Sequence, residues 1–264
     1  MLERRPGGPR SRYDLRVRLL SFGRRLDALA RVKKLVRSLD SAQKGGAEHY
    51  VISGDLTESG TSAQFEQFAE ALHDTKIAPE RITLVPGNHD AYAAGDAWDK
   101  AIQGPLRAFA SSSAGGHGTA GKVVERGELC FLPLDVSLHQ PITRSAGFLT
   151  AEAAALLWRR MKDTALSRRA LVIVQHHPPF AHALGPWQWV DGLRGTERLM
   201  DLLVSFPHVQ VLHGHLHHVV DRVAAAGTRA RIFGAPAVVD DAENTPRVRM
   251  YDLRDGALES AGLA

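Results

Sequence analysis

The sequence predicts an α/β fold with parallel strands at its core. Three observations carry this. Short, largely apolar runs of strand length recur, as in Ile82–Val85, Ala170–Val174 and Val209–Leu212. Stretches with apolar residues at helical spacing separate them, the rhythm of βαβ units. Each apolar run also stops at glycine, proline or a cluster of polar, chemically able residues, where open α/β sheets place their sites.

In chain order, residues 1 to about 22 are rich in Arg, Pro and Gly and read as irregular. Leu15–Leu20 alternates like a short strand but could also open a helix. From Arg24 to Ser41 apolar residues fall at 26, 29, 32, 35, 36 and 39, which is a helix. Lys44-Gly45-Gly46 closes it. His49–Ser53 is a strand running into Gly54-Asp55. Ser62 is the expected N-cap of a helix to His73 with Phe65, Phe68, Ala69 and Leu72 inward. The strand at 82–85 follows, then a helix over 97–110 and a loop of Ser, Gly and Ala over 111–121. Strands are expected at 122–125 and 129–136, and Thr150 caps a helix to Met161. The strand 170–174 runs into Gln175-His176-His177-Pro178-Pro179. A helix over 196–205 precedes the strand 209–212, which runs into His213-Gly214-His215-Leu216-His217-His218. Strands at 219–224, 229–233 and 247–253 complete the chain.

Composition sets bounds. The chain has 264 residues, 44% hydrophobic and 23% charged, enough for one large core in one domain. The net charge of +4 is concentrated at the start, where the first 25 residues hold eight arginines against two acids. The remainder is close to neutral, so charge gives no strong argument for nucleic acid. An anionic substrate is compatible with it. Cys130 is the single cysteine, so no intrachain disulfide forms, which fits a reducing, cytoplasmic location. No apolar run approaches the ~18 residues of a membrane span.

Four loops then stand out: Gly54-Asp55, Gly87-Asn88-His89-Asp90, His176-His177 and His213–His217. In a parallel sheet their strands end along one edge, so the loops can meet. Eight of the 13 histidines sit at 89, 176, 177, 182, 213, 215, 217 and 218. Carboxylate oxygen, amide oxygen and imidazole nitrogen together suit a borderline divalent transition metal such as Mn, Fe or Zn, one or two per chain. They suit neither calcium nor a thiolate zinc site. Gly54, Gly87 and Gly214 would let backbone pass close to an ion or phosphate. Trp187 and Trp189 read as core or lid residues, or as a platform for a nucleobase.

Gly54-Asp55, Gly87-Asn88-His89-Asp90, His176-x-Pro178 and Gly214-His215-x-His217 resemble the calcineurin-like metallophosphoesterases over residues 24 to about 235. The text around them resembles a bacterial branch that includes cyclic-nucleotide phosphodiesterases. The resemblance implies a four-layer α/β/β/α sandwich of two mixed sheets with a two-metal site at the strand ends. It implies that Asp55 bridges two metals, that Asn88, His176 and His215 complete one shell, and that His217 serves the other. His89, oriented by Asp90, would act on the leaving oxygen, with His177 behind the ligands. The family opens with a strand ending in Asp-x-His, and no Asp-x-His precedes Asp55 here. The expectation is therefore a fold whose first strand is missing, with a basic segment at 1–23 and the metallophosphoesterase domain at 24–264. The function implied is metal-dependent hydrolysis of a small phosphomonoester or phosphodiester. The alternative is a relative that lost catalysis and serves as a binding or scaffold module with one metal or none.

Overall fold

The computed structural model describes residues 28–116, 121–226, 228, 230–239 and 247–264. The expectations for residues 1–27, including the missing first strand and the boundary at residue 23, lie outside the described residues.

Helix α1 (Ala28–Lys44) turns an apolar stripe, with Leu35, Leu39 and Ala42, into the protein. It leads to β1 (Tyr50–Ile52). Helix α2 (Ser62–Asp74) buries Phe65, Phe68, Ala69 and Leu72, as its spacing predicts. Strand β2 (Ile82–Leu84) is wholly buried and pairs with β1 in parallel. Helix α3 spans Ala97–Gln103. The expected helix over 97–110 breaks there, because Pro105 cannot continue it, and a 3₁₀ turn resumes at Arg107–Ser112.

The second half builds one six-stranded sheet. Its strands are β3 (Val124–Arg126), β4 (Leu129–Pro133), β6 (Ala170–Val174), β8 (Gln210–His213), β9 (Val220–Val223) and β10 (Arg231–Gly234). The order is β3-β4-β6-β8-β10-β9. The four central strands run parallel, and β3 and β9 flank them antiparallel. Between β4 and β8 lie β5 (Gly147–Phe148), helix α4 (Ala151–Met161), helix α5 (Gly185–Val190), β7 (Leu193–Arg194) and helix α6 (Thr196–Ser205). A hairpin of β11 (Arg249–Arg254) and β12 (Ala257–Leu263) ends the chain.

Alternation along the central strands makes two cores. Phe131, Val172, Val174 and Leu212 face the β1–β2 pair and helices α1 and α2. Cys130, Leu132, Leu171 and Ile173 face α4 and α6. The layers are therefore helix, sheet, sheet, helix, the α/β/β/α sandwich. The side of β1 away from β2 borders a cavity of about 1400 Å³, walled opposite by Met250 and Tyr251 of β11. Among the described residues no helix is long and apolar enough to cross a membrane.

Candidate metal centre

Strands β1, β2, β6 and β8 deliver their C-terminal loops to one place, at the end of the same cavity. The loops are in close contact. A β-carbon on Gly54 would lie 2.4 Å from His176 Nδ1, and one on Gly87 would lie 2.1 Å from Asp55 Oδ1. Glycine is required here so that the loops can pass one another, a reason different from the expected approach to an ion. Asp55, His215 and His217 all sit in the left-handed region, at φ 55°, 66° and 57°. Such backbone costs on the order of 1 kcal/mol or more per residue and clusters at functional sites.

The tightest group is Asp55, Asn88 and His176. His176 Nδ1 lies 2.6 Å from the Ser53 carbonyl, an acceptor, so Nδ1 carries the hydrogen and Nε2 the lone pair. That Nε2 is 3.2 Å from Asn88 Oδ1 and 3.3 Å from Asp55 Oδ2. Asn88 Nδ2 donates to Tyr92 Oη at 2.8 Å, which fixes its oxygen toward His176. When the ring is neutral, its Nε2 lone pair, the Asn88 oxygen and the Asp55 carboxylate face one another as three acceptors. Atoms bound at about 2.1 Å to one ion, at ordinary coordination angles, lie roughly 3.0–3.4 Å apart. The donor set fits a divalent transition metal.

The electrostatics agree. Burial works to raise Asp55, but His176 and His89 outweigh it and hold the carboxyl well below its ordinary value. Burial works to lower His176, but Asp55 and the Ser53 carbonyl raise it above the ordinary imidazole. The pocket draws positive charge. Among the described residues no three His, Cys, Asp or Glu side chains converge on one point. The third donor here is the Asn88 amide.

The other candidates stand around this trio. The His215 ring centroid is 5.2 Å from that of His176, and its Nε2 is 3.0 Å from both the carbonyl and Oδ1 of Asp191. His217 is exposed and lines the same cavity. His89 N donates to Asp55 Oδ1 at 3.0 Å, and its Nδ1 donates to the Glu58 carbonyl at 2.9 Å. Tyr92 meets the His89 ring edge-on at 5.0 Å.

Asp90 does not orient His89. Neighbouring residues of the 3₁₀ turn His89–Ala91 point to different sides. The Asp90 carboxylate accepts from Leu56 N (3.1 Å), Thr57 N (2.8 Å), Thr57 Oγ1 (2.7 Å) and Gly87 N (2.8 Å). It ties the β1 loop to the β2 loop. Burial, then the charge of Asp55, push it above the ordinary carboxyl range against those four bonds. The ring that Asp90 was expected to hold is held by the Glu58 carbonyl.

His177 is fully buried, and its Nε2 donates to the Ser145 carbonyl at 2.6 Å. His182 Nε2 is 3.7 Å from Asp191 Oδ2. His218 is exposed and bonds within its own loop, Nδ1 to the Leu216 carbonyl at 2.8 Å. Asp191 was not singled out by sequence. Its carboxyl feels burial, which would raise it, but the His215 and Ser145 bonds bring it down to about 2. Trp187 and Trp189, on the helix that ends at Asp191, are more than half exposed. The Arg144 guanidinium lies 3.5 Å over the Trp189 ring.

The sequence matches the family model "Calcineurin-like phosphoesterase" over residues 24–219. A probable glycerophosphodiester phosphodiesterase of Arcobacter nitrofigilis is 25% identical over 170 residues, 64% of this chain and 56% of its own length. A 3',5'-cyclic adenosine monophosphate phosphodiesterase of Escherichia coli is 29% identical over 174 residues, 65% of this chain and 54% of its own length. The chain spans about half the length of the curated relatives it matches. A dimetal phosphatase from Danio rerio superposes with a TM-score of 0.68 at 13% identity, over 88% of this chain and 86% of that one. At that identity the likeness is one of fold.

Proposed function

From the premise that this chain belongs to the calcineurin-like phosphoesterase family, we propose that it hydrolyses a small phosphomonoester or phosphodiester, cyclic nucleotides included. The observation that carries the reading is the trio of facing acceptors on Asp55, Asn88 and His176. The proposal takes residues 24–264 as the catalytic domain, residues 1–23 as a basic segment, and the cytoplasm as the place of action.

In this reading Asp55, Asn88, His176 and His215 hold one ion, and Asp55 and His217 hold the other. The metals, Mn, Fe or Zn, supply Lewis acidity and an activated water when bound. The chain's own residues do the rest. Gly54 leaves room for the His176 ring and Gly87 for the Asp55 carboxylate, so that the ligands can come together. The Glu58 carbonyl fixes the Nδ1 hydrogen of His89, so a proton that His89 passes to a leaving oxygen resides on Nε2. The Asp90 carboxylate locks the loop that carries both Asn88 and His89. Asp90 therefore supports catalysis through the backbone.

A second reading, a binding or scaffold module with one metal or none, has its own support. Among the described residues no three His, Cys, Asp or Glu side chains converge on one point.

One experiment separates the two. Manganese uptake and hydrolysis of aryl monophosphates and bis-aryl phosphates are measured for wild type and His89→Ala. The phosphoesterase reading expects hydrolysis by wild type and a ~10²–10⁴-fold lower turnover for the variant at unchanged metal content. The loss is largest for esters with poor leaving groups. Wild type that binds about one manganese and hydrolyses nothing favours the scaffold reading.

A further inference from the structure

We propose that Asp191 is the positioning residue for His215: it holds the imidazole as its Nε2–H tautomer and leaves Nδ1 as the only atom able to bind metal. This rests on the phosphoesterase reading for the use made of Nδ1, while the clamp itself is a property of the metal-free chain.

The geometry permits one assignment of the hydrogen. His215 Nε2 sits 3.0 Å from the Asp191 carbonyl oxygen and 3.0 Å from Asp191 Oδ1. Both are acceptors, so Nε2 must donate. The Asp191 carboxylate is itself fixed: Ser145 Oγ donates to Oδ1. The backbone beside it is fixed too, since Asp191 N donates to the Trp187 carbonyl at 2.8 Å and Ser145 N to the Val190 carbonyl at 2.9 Å. The His177 ring packs against His215 on another side, centroids 4.6 Å apart, and donates to the Ser145 carbonyl. Ser145 thus braces the clamp and the neighbouring ring together.

The clamp answers a need. The backbone of His215 lies at φ 66°, in a region that a side-chain-bearing residue leaves readily unless it is held. A carboxylate on the far nitrogen also makes the near nitrogen a stronger donor, the effect seen generally in carboxylate–histidine–metal relays. Asp191 lies on a different loop, 24 positions before His215 in the chain. The short helix α5 exists in part to present it.

Two measurements test this. Long-range ¹H–¹⁵N correlation spectra of the metal-free protein should show His215 protonated at Nε2. Finding it protonated at Nδ1 overturns the proposal. Manganese titration should show Asp191→Asn, which keeps the shape and removes the charge, binding the ion held by Asp55, Asn88, His176 and His215 ~10–100-fold less tightly than wild type. Asp191→Glu should recover part of the loss, which a merely structural defect would not allow. Unchanged affinity in Asp191→Asn overturns the proposal. Should wild type take up no manganese, the phosphoesterase reading falls, and the tautomer spectrum alone decides whether the clamp exists.

Discussion

At the scale of single residues, the centre depends on glycines as much as on its ligands. Gly87 is the sharpest case. Its α-carbon carries no substituent because the space is filled by Asp55 Oδ1 at 2.1 Å and Asp55 N at 2.4 Å from any added β-carbon. Gly87→Ala must push Asp55 out of line. The expected outcome is a stability loss of about 1–3 kcal/mol, read by urea denaturation, together with weaker manganese uptake. Gly185→Ala is the control, since a β-carbon there meets nothing within 4 Å, and it should leave both readings unchanged. A Gly87→Ala protein with ordinary stability and full metal uptake would rule out this account. Sequence alone exposed Asp55, Asn88 and His176 because each sits just past an apolar strand. It could not expose Asp191 or the Glu58 carbonyl. Those partners lie 24 and 31 positions from the rings they hold, and one is a backbone oxygen that no side chain advertises. It also misassigned Asp90, since the adjacency of His89 and Asp90 in sequence suggested a contact that the 3₁₀ turn prevents.

At the scale of elements, the strongly patterned pieces were legible and their ends were not. The apolar runs at 82–85 and 170–174 fall on strands, α2 buries its predicted face, and α4 starts after its predicted cap Thr150 and runs to Met161. Strand β12 went unread because its burial is slight; it is held by the hairpin through Asp255 and Gly256, both left-handed. The two-residue strands β5 and β7 are too short to show a period. The start of α2 is the informative error. Thr61, at φ −79° and ψ 151°, is the N-cap, and its hydroxyl accepts from Gln64 N at 3.4 Å. Ser62, the expected cap, is the exposed first residue of the helix. Two adjacent hydroxyl residues offered the same signal, and backbone dihedrals made the choice. Thr61→Ala should therefore cost about 1 kcal/mol, while Ser62→Ala should stay within ~0.5 kcal/mol of wild type. Denaturation curves giving the reverse order would move the cap back to Ser62.

At the scale of the whole molecule, the two sheets are joined by groups whose charge state decides how well they dock. His49 stands just before β1 and stacks on Phe131 of the six-stranded sheet, centroids 4.7 Å apart and planes 20° from parallel. Arg126 Nε donates to its Nδ1 at 3.2 Å, and its Nε2 donates to Thr83 Oγ1 at 2.9 Å. The ring is thus neutral, with no room for a second hydrogen. Burial first, then the charges of Arg126 and Arg81, lower its pKa to about 3. In the unfolded chain the same ring titrates near ~6.5. Between those values the unfolded state takes up the proton, so this contribution is whole above about pH 6.5 and is lost as pH falls toward 3. With the ring partly exposed, a loss of about 1–2 kcal/mol by pH 5 is the right order. Asp135, at the end of β4, works the other way. Burial pushes its carboxyl up to about 7 against two bonds from Ser137, so the folded state takes up that proton and gains stability as pH falls from 7 toward 4. The two variants should therefore diverge. Between pH 7.5 and 5.0, His49→Gln should lose less stability than wild type, or gain some, because the acid-sensitive ring is gone. Asp135→Asn should lose more, because the compensating proton uptake is gone. Urea unfolding of the three proteins at the two pH values measures this directly, and each variant is compared with wild type so that the metal centre contributes equally. Parallel slopes for all three would mean that neither group titrates as its surroundings require.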